Sequence, residues 1–288
     1  MKREKVILIL SVAILILAAF FLGQKTQISR AKKSRVKERP AYNTQRTAKK
    51  KAAAPAQALP PVPVKKSSRP AKVAIVIDDF GYNTNNLETL YSIKLPLTFS
   101  ILPGLRCSRE IAESAASHGY ETILHLPLAS HRKDVKEESE TIRPGENKKE
   151  IVERLSKDID SVPGICGVSN HMGSLATEDK VLMSEIFYYL KKSGFYYFDS
   201  LTSEKSVCRE AAAGIHIRFA RRDMFLDNES SAEYIEKQLD ILEKLAFKRG
   251  RAIAICHDRK STAVVLAKVM PRMARDGIEF VYLSDMVD

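Results

Sequence analysis

Short apolar runs alternate with amphipathic stretches from residue 73 to the last residue of the chain. Eight of the runs are typical of buried strands, at 73–77, 97–102, 122–126, 165–168, 195–198, 215–219, 251–256 and 278–283. The spacing between them predicts seven helices, at 84–92, 108–118, 147–159, 177–192, 205–213, 230–248 and 262–275. This alternation predicts a parallel β/α architecture, either a barrel or an open doubly wound sheet. No glycine-rich phosphate-binding motif follows any of these strands, which argues against a nucleotide site.

A continuous apolar run from Val6 to Leu22, interrupted only by Ser11, follows a short basic start. Its 17 residues are at the low end of the length that spans a bilayer. The residues after it make a poor small-x-small cleavage site. We therefore expect residues 1–23 to be an uncleaved signal anchor that crosses the inner (cytoplasmic) membrane once.

The next segment, residues 24–72, is rich in Lys, Ala and Pro and has almost no aromatic side chains, which predicts a disordered linker. Residues 1–72 hold 18 of the 47 Lys and Arg residues and 2 of the 35 Asp and Glu residues, a net charge of +16. The other 29 basic and 33 acidic residues give −4, so the overall +12 belongs to the N-terminal quarter. A slightly acidic domain behind a basic tail does not fit a nucleic-acid-binding protein. Residues 73–288 have the size of one domain.

The four cysteines are Cys107, Cys166, Cys208 and Cys256, and none of them forms a C-x-x-C pair. A zinc ribbon or a thioredoxin-like site is therefore not expected. Up to two disulfides, in any of three pairings, and buried free thiols both remain open at this point.

Aspartate and histidine side chains collect where the predicted strands end. They are Asp78 and Asp79 after the first strand, His125 after the third, Asn170 and His171 after the fourth, Asp199 after the fifth, Asp223 and Asp227 after the sixth, and His257 and Asp258 after the seventh. In a β/α fold the carboxyl ends of the strands share one rim, where functional groups cluster. Each residue alone fits a helix cap or a structural hydrogen bond, but separate structural reasons do not explain the whole set. Asp and His together suit a divalent metal ion, Zn²⁺ foremost.

Seven motifs occur in order along the domain: AIVIDDFGYN, TFSILPG, HGYETILHLPL, GVSNHMGS, FYYFDSLTS, RRDMFLDN and AIAICHD. The series resembles the divergent polysaccharide deacetylase family over nearly all of residues 73–288. The resemblance implies a distorted (β/α)7 barrel with a metal-dependent site that removes N- or O-acetyl groups. It also implies a place in the bacterial envelope, so we expect the domain to face the periplasm or the cell exterior.

The resemblance further implies roles for the candidate metal ligands. The first aspartate of its first motif is the general base and the second is a metal ligand, which assigns these roles to Asp78 and Asp79. His125 stands where the metal-binding motif of the parent family belongs. The parent pattern has two histidines four residues apart, whereas here His131 follows six residues later. We therefore expect His171 to be the second histidine ligand.

The last motif assigns the general acid to His257. We expect the remaining polar residues of the rim to bind substrate or to orient catalytic groups; they are Asn170, Asp199, Arg222, Asp223, Asp227 and Asp258. Asp258, Asp223 and Asp199 are the alternatives for orienting His257. Arg222 is the candidate for positioning the substrate.

Two functions of different classes follow from these residues. The first is a metal-dependent hydrolase that deacetylates an acetylated cell-envelope polysaccharide. The alternative is a non-catalytic envelope module that keeps the fold and binds a glycan or a protein. The absence of an H-x-x-x-H pair and of tryptophan favours this alternative. A third hypothesis keeps the same site residues for an O-acyl or amide hydrolase with a non-glycan substrate.

Overall fold

The computed structural model of the chain describes residues 70–288. The predicted domain at 73–288 lies entirely within them. The predicted anchor at 1–23 and nearly all of the predicted linker at 24–72 lie outside the described residues. Among residues 70–288, no helix is both long and apolar enough to cross a membrane.

Strands and helices alternate along residues 70–288. The nine strands are β1 (Ala71–Phe80), β2 (Thr98–Ile101), β3 (Glu121–Leu128), β4 (Gly167–Met172), β5 (Tyr196–Asp199), β6 (Phe219–Arg221), β7 (Met224–Phe225), β8 (Arg251–His257) and β9 (Ile278–Phe280). The seven α-helices are α1 (Leu87–Tyr91), α2 (Ser108–Ser117), α3 (Lys148–Ser161), α4 (Lys180–Lys192), α5 (Cys208–Ile215), α6 (Ala232–Arg249) and α7 (Lys260–Arg275).

Two strands begin at least two residues later than the apolar pattern predicts. The strand expected at 165–168 is β4, which starts at Gly167 and continues to Met172, so that Asn170 and His171 lie inside it. The strand expected at 215–219 is β6, which starts only at Phe219. Ile215 of the expected strand is the last residue of helix α5, and His216 caps that helix in the left-handed conformation, with φ 58°.

All paired strands are parallel and form one curled sheet. Its order is β6–β5–β4–β3–β2–β1–β8–β7, and β9 pairs with the start of β1. This sequential order excludes the doubly wound alternative, in which the strand order reverses at a switch point. The prediction of a parallel β/α fold is confirmed.

The family resemblance implied a distorted (β/α)7 barrel, and the curled sheet of residues 70–288 forms a half-barrel. Strand β6 pairs with β5 and β7 pairs with β8, while Arg222 and Asp223 separate the two strands in the chain. The last part of the half-barrel is therefore built by one interrupted segment that changes its pairing partner. The interruption consists of Arg222 and Asp223, both of which the sequence predicted for the functional site.

Hydrophobic residues cover both faces of β1. Val73, Ile75 and Ile77 belong to the larger cluster, which joins the sheet to the helices. Ala74 and Val76 belong to a smaller cluster inside the curl. Full burial of one such aliphatic side chain stabilises the fold by about 1.5–3 kcal/mol. The strand is therefore a rigid support for the polar residues at its carboxyl end.

All four cysteines are free thiols. Burial raises the pKa of both Cys166 and Cys208 to about 12, so both thiols stay protonated at neutral pH. Of the two alternatives that the sequence left open, the structure has the free thiols.

Candidate functional site

The aspartate pair lies in a β-bulge at the carboxyl end of β1. Ile77 pairs with Phe99, and Phe80 pairs with Ile101. The chain therefore advances three residues along β1 but only two along β2, which leaves one extra residue in β1. Asp79 has a left-handed φ of 68°. In a regular strand, neighbouring side chains point to opposite faces, whereas here both aspartates line one cavity. The sequence predicted the pair just beyond the strand, but β1 continues through both residues.

Glycine is required directly after this bulge. Gly81 has a φ of 132°, which side chains disfavour, and a Cβ there would lie 3.0 Å from Leu105 and 3.1 Å from Ser108. The chain can therefore turn away from the sheet as soon as the two aspartates have been placed.

Three potential metal ligands converge beside this bulge. Asp79 Oδ1 lies 3.3 Å from His125 Nε2 and 3.1 Å from His171 Nδ1, and the three ligand atoms lie within 4.8 Å of one another. Zn²⁺ binds such atoms at about 2.0–2.2 Å in tetrahedral sites, which places neighbouring ligand atoms about 3.3–3.6 Å apart. The two histidines come from adjacent strands, since Pro127 of β3 pairs with His171 of β4. The three residues therefore fit a single divalent ion.

His125 is held by a buried hydrogen-bond chain. Its Nδ1 lies 2.8 Å from Ser169 Oγ, which in turn lies 2.8 Å from Ser100 Oγ. All three side chains are buried. With Nδ1 engaged in this way, Nε2 is the nitrogen that faces Asp79. Such bonds to the second ring nitrogen orient histidine ligands in metal sites.

The two neighbouring carboxyl groups have opposite pKa shifts. Burial is the largest influence on Asp78 and raises its pKa, and the Asp79 charge adds to the rise while His125 opposes it. Burial also opposes ionisation of Asp79, but hydrogen bonds from His125 and His171 outweigh it and hold its pKa well below the usual range. Asp79 is therefore the ionised partner, and Asp78 is the one that exchanges a proton closer to neutral pH.

Asp78 also has an unused acceptor. The residue is 3% exposed, and its Oδ1 has no hydrogen-bond partner among the described residues. That atom lies 3.7 Å from His125 Nδ1. Most buried carboxylate oxygens in proteins are paired, so the unpaired oxygen is a feature that a bound water or substrate would satisfy.

His257 lines the same cavity and is oriented by Asp227. Its Nδ1 lies 2.8 Å from Asp227 Oδ1, and its backbone N–H donates to Asp227 Oδ2 at 2.9 Å. Thr262 donates to the same oxygen at 2.8 Å. Burial disfavours the charged imidazole, but the Asp227 carboxylate outweighs burial and raises the pKa of His257. The ring nitrogen that remains for the cavity is Nε2.

The three aspartates predicted to orient His257 have other partners in the structure, which corrects that prediction. Asp199 accepts hydrogen bonds from the Leu201 backbone at 2.7 Å and from Arg221 at 3.1 Å. Asp258 accepts one from Asn86 at 2.7 Å. The described hydrogen bonds of Asp199 and Asp258 run to these other groups, and the carboxylate that bonds the imidazole is that of Asp227.

Asp223 and Arg222 are also structural. Asp223 accepts hydrogen bonds from Arg249 at 2.9 Å and from the Ile253 backbone at 2.8 Å, which ties the interrupted segment to β8. Arg222 donates to the carbonyl oxygens of Ser200 and Leu201, and its guanidinium lies 3.8 Å from the centre of the Phe225 ring. Neither residue lines the cavity. The prediction that Arg222 positions substrate therefore has no geometric support.

Asn170 lines the cavity, but its amide is engaged in supporting the wall. Its Oδ1 accepts from the Ser200 backbone at 2.9 Å and from the Tyr197 hydroxyl at 3.2 Å, and its Nδ2 donates to the Met172 carbonyl at 2.8 Å. Asn170 thus joins the ends of β4 and β5.

Four residues of the cavity wall were not predicted from the sequence. Ser130, Arg132, Ser174 and Thr202 line it, and the cavity has a volume of about 330 Å³. Ser130 Oγ and Ser174 Oγ lie 3.0 Å apart. A signal was present in the sequence, because each of these two serines stands two residues after a strand, at the same rim as the histidines.

A curled parallel sheet with an Asp–His cluster at the carboxyl ends of its strands defines the class of polysaccharide-deacetylase-like proteins. The family model described as divergent polysaccharide deacetylase matches residues 75–287. The chain therefore belongs to the divergent polysaccharide deacetylase family.

Two relatives and one solved structure are similar to this chain. The uncharacterized protein YibQ of Escherichia coli K12 is 32% identical over 205 residues, 71% of this chain and 64% of that protein, so the match spans less than two thirds of the relative. An uncharacterized protein of Haemophilus influenzae is 30% identical over 206 residues, 72% of this chain and 73% of that protein. The crystal structure of an uncharacterized protein from Agrobacterium tumefaciens C58 superposes with a TM-score of 0.71 at 22% identity, covering 76% of this chain and 90% of the other. The last comparison shows a shared fold.

Proposed function

We propose that this chain is a metal-dependent hydrolase that removes acetyl groups from a polysaccharide of the bacterial envelope. One observation carries the proposal: the Asp79–His125–His171 cluster, the unpaired Asp78 oxygen and the Asp227-bound His257 all face one cavity. Membership in the divergent polysaccharide deacetylase family supports an acetylated glycan as the substrate class.

Asp79, His125 and His171 would hold the ion, for which we propose Zn²⁺ because two imidazole nitrogens and one carboxylate oxygen suit it. When bound, such an ion lowers the pKa of a coordinated water to about 7 and polarises the acyl carbonyl. The chain's own contribution to binding is the fixed spacing of the three ligand atoms, which His125 keeps through its bond to Ser169.

Asp78 would act as the general base. Its Oδ1 is free to accept the proton of the attacking water, and its raised pKa suits proton transfer better than that of an ordinary aspartate. His257 would act as the general acid and donate a proton from Nε2 to the leaving amine or alkoxide. Its raised pKa favours the protonated form needed for that step. Asp227 would hold the imidazole in place throughout.

We place this activity outside the cytoplasmic membrane, with residues 6–22 as the single-pass anchor. The apolar run at 6–22 supports this location. Protease treatment of intact cells and of spheroplasts tests it: the domain should be cleaved once the periplasmic side is open. Cleavage only from the cytoplasmic side would contradict the location.

Acetate release from purified, metal-loaded protein on N- and O-acetylated envelope glycans tests the activity. Asp78→Asn should lower the rate by about 10²–10⁴-fold, the usual contribution of a positioned acid or base. Asp240→Asn, an exposed carboxylate of α6 paired with Arg272, is the matched control and should retain the wild-type rate. Full activity of Asp78→Asn would remove the general base from the proposal.

The same assay separates the alternative function. A metal-loaded protein that binds an envelope glycan but releases no acetate from any of them would be a binding module that keeps the fold. Release of acyl groups only from non-glycan substrates would leave the site residues in their roles and change the substrate class.

A further inference from the structure

A second cavity, lined by three carboxyl groups and by Lys157, lies apart from the candidate functional site. It has a volume of about 150 Å³ and lies between the turn after β2, residues 138–140 and the end of α3. None of the residues that line it lines the larger cavity. Three of its side chains, Glu138, Glu140 and Asp158, carry carboxyl groups.

Asp158 is the unusual member of this group. It is 2% exposed, and its Oδ2 has no hydrogen-bond partner within residues 70–288. The residue projects from α3 into the cavity that it lines. Buried charged groups are paired or bind a metal in most proteins, so an unpaired carboxylate facing an internal cavity indicates a cationic ligand.

Two glutamates in the lining of the same cavity carry oxygen atoms that bind cations. Glu140 lines the same cavity as Asp158. Among the residues that the structure describes, its Oε1 has one hydrogen-bond partner, Lys157, which lines the cavity too. Lys157 is 68% exposed in its side chain, so it can exchange this partner for solvent at little cost. Glu138 uses Oε1 to accept a hydrogen bond from Tyr82. The second oxygen of each glutamate remains for a ligand.

We propose that this cavity is a Ca²⁺ site in which Asp158 and Glu140 supply the central carboxylate oxygens and Glu138 completes the acidic wall. Ca²⁺ takes six to eight oxygen ligands at about 2.3–2.6 Å and accepts waters among them. A cavity of about 150 Å³ has room for the ion and several waters of about 30 Å³ each. The lining holds no histidine or cysteine, which separates this oxygen site from the Asp–His cluster.

The ion would fasten the segment between β3 and α3. That segment supplies Ser130 and Arg132 to the larger cavity and Glu138 and Glu140 to the smaller one. Glu138 is also bonded to Tyr82, three residues after Asp79. Ca²⁺ bound at Asp158 would therefore stabilise one wall of the candidate functional site without contacting its residues. Binding of this ion does not depend on the proposed reaction.

Calorimetric titration of the chelator-treated full-length chain with CaCl₂ tests the site. Wild type should bind one Ca²⁺ with a dissociation constant on the order of 10⁻⁴–10⁻³ M, as extracellular modules do. Asp158→Asn should weaken binding at least tenfold. Asp79→Asn should bind Ca²⁺ like wild type, because it changes only the other cluster. Glu153→Gln removes an exposed carboxylate from the same helix and should also bind like wild type.

Three results would overturn the proposal. The first is that wild type binds no Ca²⁺ at about ten times the expected dissociation constant. The second is that Asp158→Asn binds Ca²⁺ as tightly as wild type. The third is that Asp79→Asn loses Ca²⁺ binding. Tighter binding of Mg²⁺ than of Ca²⁺ would overturn the identity of the ion.

A second measurement keeps the test independent of folding defects. Far-ultraviolet circular dichroism should show that Asp158→Asn is folded, since the amide has the size and shape of the carboxyl group and its cost of about 1–3 kcal/mol is small beside the stability of a typical domain. Ca²⁺ should slow proteolysis of the segment at 129–147 in wild type and not in Asp158→Asn. Glu140→Gln should weaken Ca²⁺ binding while the fold is retained, and an unchanged affinity in that variant would contradict the ligand set.

Discussion

Replacing Asp158 by asparagine should change how the stability of the domain depends on pH. Burial is the main reason that the pKa of Asp158 rises from its ordinary 3.8 to about 7, and the Glu140 charge adds to the rise. In the unfolded chain the carboxyl group returns to its ordinary value. Between the two values the folded protein binds a proton that the unfolded chain has released.

This difference in bound protons determines whether the free energy of unfolding rises or falls with pH. The favourable contribution of the protonated carboxyl group is fully present below pH 3.8 and is lost as the pH rises through about 7. One pKa unit corresponds to about 1.4 kcal/mol, so the complete loss is about 4 kcal/mol, and about 2–4 kcal/mol once water entering the cavity is allowed for. The amide that Asp158→Asn introduces would not titrate, and leaving it unpaired would cost about 1–3 kcal/mol at every pH.

Urea unfolding of the full-length chain in EDTA, at several values between about pH 4.5 and pH 8.5, measures the effect. The free energy of unfolding of Asp158→Asn minus that of wild type should rise by about 2–4 kcal/mol over this range. Titrating groups that do not interact with Asp158 cancel in this difference. Asp240→Asn, at an exposed position, is the control and should give a flat difference.

A difference that stays constant with pH for Asp158→Asn would refute the reasoning, because it would mean that the buried carboxyl group keeps its ordinary pKa. A change in the slope of unfolding free energy against urea would instead indicate a change in the unfolded state. Added Ca²⁺ should raise the stability of wild type most at high pH, where the carboxylate is ionised, and should leave the variant unchanged.

Three further predictions concern the functional site and the sheet. Asp227→Asn should lower the pKa of His257 by at least about one unit, because a charged hydrogen bond contributes about 1.5–3 kcal/mol, and an unchanged imidazole titration by NMR would contradict the contact. Asp79→Asn should weaken Zn²⁺ binding at least tenfold in a chelator competition, and wild-type affinity would exclude it as a ligand. Gly167→Ala should lower the free energy of unfolding by about 1–3 kcal/mol, because its Cβ would overlap a buried tyrosine ring. Gly214→Ala, where a helical Cβ meets only open space, should be neutral or stabilising by up to about 1 kcal/mol, and equal losses in both variants would refute the overlap.

Strand and helix types were predictable because they depend on local spacing. The run at 73–77 is apolar at every position, and β1 is buried on both faces as such a run predicts. The Asp78–Asp79 pair at its end was recognisable for a related reason, since polar residues break the apolar pattern at that point. The convergence of Asp79 with His125 and His171 followed from the rule that parallel strands end at one rim.

The partner of His257 was not predictable in the same way. Asp227 lies 30 residues before it, and three other aspartates stood as near or nearer in sequence to a strand end. Which of them meets the imidazole depends on the register of β7 against β8, where Phe225 pairs with Ile255. Register is a property of two strands together, so no single stretch of sequence contains it.

By itself, the sequence determined the alternation of strands and helices, the rim on which the polar residues lie and the family to which the chain belongs. These rest on side-chain chemistry and local periodicity, which each segment carries alone. Only the tertiary structure decided that Asp79 takes a left-handed conformation that turns both aspartates into one cavity. Likewise, only the tertiary structure decided that Asp158 lines a second cavity and that its Oδ2 has no hydrogen-bond partner in the described chain. Backbone strain and burial depend on what the rest of the fold packs around a residue, and the residue's own neighbours in sequence do not specify them.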